Sequence, residues 1–487
     1  MLGITVLADY LLSEGIDAVL DAIAGRAGAT AVACNPTVTV PAAEGEGSFQ
    51  PPIDGGTSPR LFDRPLWGKR SLWVQAEPSY HPNPKYYHGL KYGPKGSGGL
   101  TDRYGHVIRE FIDAAHRRGL EVYFQLPAAA PPGFTDEDAP RLPDGSVYQK
   151  RFARTASLAS PDVVAYNRAL VADLLAVYPD IDGIRPDWPE YPCYTLGELF
   201  TDFSPHAASE TVRPAVGELW DKLHGDLDDA SAHWLRDELG VRPPGSRRAE
   251  TRPAEPVDHW LRLKSQYSLR LLSSWREALD DAGGRGVKLS ANAFAPPFSD
   301  LTGMDFTGAA SICDAVSPKL YTMHWLVIVW LWARELLAAN PRLSETACVT
   351  AIAEDLGMAP EGAALSLEDV RYPQPDEPHR VPSAMQTEAV AAAVHAAADS
   401  SGAAVSGPAA ADNGSGAADN TPGAAGRGPA LVTPIVHGYG PSDDVRKRFE
   451  IAASTAADGV WVNRYGYLSD EKLDAIGGIN RRGECER

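Results

Sequence analysis

Cysteine is scarce in this chain. Five residues in 487 (Cys34, Cys193, Cys313, Cys348 and Cys485) are scattered, odd in number and never in CxxC spacing. That excludes a standard zinc site or a disulfide framework, and the five read as reduced thiols. Positive charge is also short: 45 Lys and Arg face 64 Asp and Glu, a net charge of -19. Nucleic acid and anionic membrane surfaces need a basic footprint, so neither is an expected partner. Long apolar runs are missing too. The most apolar stretch, residues 325–333, is stopped by Arg334 and Glu335 and is too short to span a bilayer, which makes it a buried helix or an aromatic pocket wall. The first residues, MLGITVLADYLLSEG, carry no basic flank and meet Asp9 early, a poor secretory signal, so the expected location is the cytoplasm. No repeat of solenoid period is present.

What remains is ordinary for a globular protein, with 44% hydrophobic and 22% charged residues. The length suits one large α/β barrel with insertions. Short apolar runs near Ile4, Thr30, Val122, Ile181, Lys288, Val316, Val432 and Val460 alternate with helical patterns. One such helix covers residues 104–118, another begins behind a Ser160 cap and Pro161 and runs to about Val177, and a third starts near Ser442. Eight strands in strand–helix rhythm predict a (β/α)8 TIM barrel occupying residues 1–487, with insertions at about 37–103, 195–283 and 360–430. The first insertion is rich in aromatics, which stack on sugars or form a small core of their own. The second is a helical excursion. The third reads as an interrupted loop, low in complexity and disordered from residue 396 onward.

In such a barrel the chemistry gathers at the C-terminal strand ends. Those ends offer Asp9, Asn35, Gln125, Asp187 with Glu190, Asn292, Tyr321 with His324, His437, and Asn463 with Arg464. Polar groups that orient hydroxyls, beside rings such as Trp73 and Trp188 that cover apolar faces, describe a carbohydrate pocket. The densest stretch is residues 178–194, YPDIDGIRPDWPEYPCY, read as a strand at 181–184 that delivers Arg185, Asp187, Trp188 and Glu190 into a proline-stiffened loop. Glycosidic cleavage uses one protonated and one ionised carboxyl, and Asp187 and Glu190 are the best local pair. Arg185 could hold one ionised while Trp188 and the prolines desolvate the other. Glu77 and Asp9 stand in reserve.

The segment DGIRPDWPEYP resembles the strand-four signature of family 18 glycoside hydrolases, the chitinases. Asp182, Gly183, Ile184, Asp187, Trp188, Glu190, Tyr191 and Pro192 keep that pattern, Arg185 replaces one of its acids, and Pro189 is inserted before the Glu. The same residues also resemble the amylase-type strand ending in Arg-x-Asp. The resemblance implies a glycoside hydrolase-type barrel, with Glu190 as general acid and Asp187 as nucleophile, base or orienter. Two other readings stay open. His324, His437, Asp187 and Glu190 could gather a cation as in sugar isomerases or epimerases, although no metal motif spaces them. A non-catalytic carbohydrate-binding barrel is the other. No metal and no cofactor are assigned, the expected partner is a small carbohydrate, and homo-oligomerisation is left open.

Overall fold

The computed structural model describes residues 1–52, 61–246, 253–360, 362–400 and 428–485. Its centre is a closed parallel barrel. In chain order the barrel strands are β1 (Leu2–Thr5), β2 (Ala31–Cys34), β6 (Glu121–Pro127), β7 (Gly183–Asp187), β8 (Lys288–Phe294), β9 (Ala315–Leu320), the pair β10 (Leu431–Val432) and β11 (Ile435–His437), and β12 (Val460–Asn463). Between β2 and β6 the strands β3 (Thr37–Pro41), β4 (Ser48–Gln50) and β5 (Leu72–Pro78) form a separate antiparallel sheet. The barrel closes because β1 pairs with β12 and β8 with β9, so the expected (β/α)8 architecture is the observed one. Strand seven is split by Pro434, which has no N–H to give to a ladder, yet the Trp461 N–H still donates to the Pro434 carbonyl.

The two-residue period of a strand sorts each one into an outer and an inner column. Ile4, Val32, Phe124, Ile184, Leu289, Val316, Val436 and Val462 face the surrounding helices and join the main core. Ala31, Ala33, Tyr123, Ile435 and Trp461 fill the barrel interior as a cluster of their own. Two glycines make room for the large interior rings. A Cβ on Gly3 would lie 2.4 Å from the Trp461 indole, and one on Gly183 would lie 2.3 Å from the Tyr123 ring.

Strand four starts at Gly183, two residues later than the apolar run suggests, and extends to Asp187. Arg185 therefore lies on the strand and faces the barrel interior, where it donates to Ser290 Oγ and Ser317 Oγ and stacks 3.7 Å from the centre of the Trp461 ring. It is not in the loop. The third insertion is also more ordered than expected. Residues 383–399 form a helix whose Met385, Ala389, Val390 and Ala393 are buried, while the low-complexity residues 401–427 lie outside the described residues. In the first insertion Phe62 and Tyr80 are buried in the main core, while Tyr87 and Tyr92 form a small cluster with Tyr166 and Ala169. The apolar stretch at 325–333 belongs to the buried helix Thr322–Ala339. Among the described residues no helix is long and apolar enough to cross a membrane.

Candidate active site at the strand-four exit

Asp187 is the last residue of β7, in register with Asn292 on β8. Its inner-column parity points the carboxylate at the barrel mouth. Lys319 Nζ lies 2.7 Å from Asp187 Oδ1, and Gln125 Nε2 donates to Oδ2 at 3.2 Å. Lys319 is itself buried, with its ammonium 5.0 Å from the Trp188 ring centre and 5.8 Å from that of Phe294. The lysine thus sits between the Asp187 carboxylate and two rings, an ion pair and cation–π contacts at once.

Trp188 turns the chain. Its N–H stays on the Asn292 carbonyl while its φ is 56°, the left-handed region that bulky residues rarely occupy. The chain then curls back, so that Glu190 Oε1 accepts the Phe294 N–H at 2.9 Å. Glu190 is fully buried, and its second oxygen, Oε2, has no hydrogen-bond partner. Burial raises its pKa from 4.5 to about 7, with Lys319 pulling it down and the Asp187 charge pushing it up. Both groups thus act on Glu190 through space, and the inserted Pro189 does not separate it from them.

Beside Glu190, Asn292 is fully buried with neither its Oδ1 nor its Nδ2 bonded. A buried amide with two unmet bonds is costly unless something else fills them. A wall of rings runs from here around the mouth. Trp188 meets Tyr194 at 6.2 Å, Tyr194 meets His324 at 5.5 Å, and Tyr321 lies between His324 at 5.3 Å and His437 at 5.1 Å. His437 continues it to Tyr467 at 5.1 Å. The Tyr194 hydroxyl bonds His324 Nδ1 at 2.8 Å, and His437 Nδ1 accepts the Tyr439 N–H at 3.0 Å.

On the far side, Asp9 follows strand one and is buried, with Oδ1 unbonded. Burial raises its pKa, opposed by the Thr39 hydroxyl and by the charge of Arg464. Asn463 Oδ1 accepts the Thr5 hydroxyl at 2.5 Å, and Arg464 keeps a buried Nη1 without a partner.

Other expected site residues are occupied elsewhere. Glu77 accepts from the N–H groups of Leu100 and Thr101 and from the Thr101 hydroxyl, capping the helix Gly99–Tyr104; these bonds hold its pKa below the ordinary value. Trp73 sits on β5 against Phe49, 5.7 Å between ring centres. Asn35 Nδ2 donates to the Gln125 carbonyl. Burial lowers the Arg185 pKa to about 9, and this guanidinium serves the barrel interior. Among the described residues no group of three or more His, Cys, Asp or Glu could hold a metal ion.

Two mouth residues escaped the sequence reading. Lys319 sits two positions before Tyr321 and four after Ala315, so strand parity alone could have placed it beside the expected Tyr321. His379 comes from the third insertion, where no periodicity announced it. Its Nδ1 bonds the Thr322 hydroxyl at 2.6 Å, and burial with nearby Arg448 keeps its pKa well below normal, so the ring is neutral.

Fold and mouth together define a (β/α)8 barrel with two carboxyl groups at the exit of strand four and a lysine reaching them from strand six. No protein-family model matches the chain, and no curated protein matches it significantly. Solved structures do. A β-galactosidase from the psychrophilic Marinomonas ef1 is 12% identical, with TM-score 0.49 over 99% of this chain and 59% of that one. The catalytic domain of a Paenibacillus polymyxa β-amylase is 9% identical, with TM-score 0.44 over 99% of this chain and 97% of that one. The Group IV chitinase of Ostrinia furnacalis is 11% identical, with TM-score 0.34 over 79% and 87%. The chain spans 59% of the galactosidase's length.

Proposed function

We propose that this protein processes a glycoside by carboxyl acid/base chemistry, with Glu190 as proton donor and Asp187 as the ionised partner. The observation that carries this reading is the state of Glu190: buried, pKa near 7, one oxygen anchored on the Phe294 N–H and the other unbonded. A carboxyl that keeps its proton near neutral pH and has one oxygen to spare is what a leaving-group oxygen requires. Asp187, paired with Lys319 at 2.7 Å, is the second carboxyl that hydrolysis of an acetal demands. The ring wall from Trp188 to Tyr467 supplies faces for sugar C–H groups.

The test uses paired substrates, aryl glycosides with a strongly acidic phenol and alkyl glycosides of the same sugar. Glu190→Gln should lower kcat/KM on alkyl glycosides by roughly 10²- to 10⁴-fold, because those leaving groups need a proton. It should spare the activated aryl glycosides, which leave unaided. Asp187→Asn should suppress both. Equal turnover of both substrate types in wild type and Glu190→Gln would end the assignment.

A further inference from the structure

This inference rests on the carbohydrate reading above and concerns what the site holds. We infer that Asp9 and Arg464 form a second pole of the mouth, which binds a pair of hydroxyls on a neutral sugar residue whose glycosidic end lies at Glu190.

The placement follows from the barrel. Asp9 and Arg464 leave strands one and eight, which are adjacent, with Ile4 in register with Val462. Glu190 follows strand four and Asn292 lies on strand five, halfway around a closed ring of eight. All four residues sit at the C-terminal end of the barrel, the end at which barrels of this architecture take their ligands. Groups at opposite edges therefore reach opposite ends of the same sugar ring.

The chemistry follows from which atoms are left over. Asp9 is 4% exposed, yet its Oδ1 closes no hydrogen bond of ordinary geometry. Arg464 keeps Nη1 buried and unpartnered. One residue thus offers an acceptor and the other a donor, close enough for the Arg464 charge to act on the Asp9 carboxyl. Hydroxyls are the groups that use both, since each donates to a carboxylate and accepts from a guanidinium. At the opposite pole Glu190 Oε2 and both polar atoms of Asn292 are unbonded in the same way.

Charge excludes an acidic sugar. Asp9, Asp187 and Glu190 are three carboxyls, and Lys319 already belongs to Asp187. A uronate would bring a further carboxylate up to Asp9 and Asp187, with Arg464 to meet it.

The experiment measures dissociation constants by thermal shift on the full chain, which needs no turnover. The ligands are glucose, galactose, mannose, N-acetylglucosamine and glucuronate, with the 2-, 3-, 4- and 6-deoxy forms of glucose and galactose. The wild type should bind one neutral hexose, and removal of one hydroxyl should weaken it roughly 10- to 100-fold, the loss of a hydrogen bond to a charged group. Asp9→Asn, which keeps the shape of the side chain, and Arg464→Lys, which keeps the charge, should each bind the parent sugar about as weakly as wild type binds that deoxy form. Binding that is unchanged in both variants, or a preference for glucuronate, overturns the second pole and leaves the carbohydrate reading standing. If none of these sugars binds the wild type, the carbohydrate reading falls as well.

Discussion

Glu190 and Glu198 are eight residues apart, equally buried, and both have pKa values raised to about 7. Their surroundings differ completely. Glu198 takes the N–H groups of Phe152, Ala153 and Thr195 and the Thr195 hydroxyl on its two oxygens, closing a capping box on the short helix Leu196–Leu199. Glu190 takes one N–H and leaves an oxygen over. A raised pKa therefore does not mark a site by itself, because burial produces it in both. The unfilled oxygen does, since a protein rarely leaves a buried acceptor unmet for its own structure.

The comparison can be broken by swapping each carboxyl for its amide. Glu198→Gln turns one acceptor oxygen into a donor that faces other donors, and should cost about 2–4 kcal/mol of stability with little change in kcat. Chemical unfolding and turnover on the same sample check it. A silent Glu198→Gln would mean that its four bonds contribute nothing, and the contrast with Glu190 would collapse.

Glu190→Gln should do the reverse. A carboxyl whose folded pKa is near 7 and unfolded pKa near 4.5 binds its proton more tightly in the folded state. Its contribution is fully present below about pH 4.5, declines between 4.5 and 7, and is lost above 7. The amide has no such decline, so at pH 8 Glu190→Gln should be more stable than wild type by up to about 3 kcal/mol. The two should converge at pH 4. Equal stabilities at both pH values would show that Glu190 titrates normally.

The smallest effect sharpens the picture of Lys319. Its charge holds the Glu190 pKa down, so Lys319→Met should move the alkaline limb of the pH–activity profile upward by roughly half a unit to one unit, while lowering the plateau as Asp187 loses its counter-ion. Lys319→Arg should restore the limb. A limb that stays in place in both variants would remove Lys319 from the electrostatics of the pair.

Much of the mouth was legible because exits follow strands. Once the eight apolar runs are placed, Asp9, Gln125, Asp187, Asn292, Tyr321, His437 and Asn463 fall at their ends without further information. Arg185 was misread for a local reason: a two-residue error in where strand four begins moved it from the barrel interior to the loop. The helix Ser383–Asp399 was hidden by its own composition. Ala is the best helix former, yet its methyl group gives little hydrophobic contrast, and only packing of Met385 and Val390 shows which face is inside.

The sequence by itself determined the barrel, since short apolar strands alternating with amphipathic helices have few ways to bury both faces. It also determined which residue types reach the mouth, because strand parity is a local property. Only the tertiary structure decided what those residues do. Glu190 depends on the N–H of Phe294, 104 residues away, and Asp187 on Lys319, 132 residues away. Protonation state is set by burial and by charges across the barrel, and neither is written in the neighbouring letters of the chain.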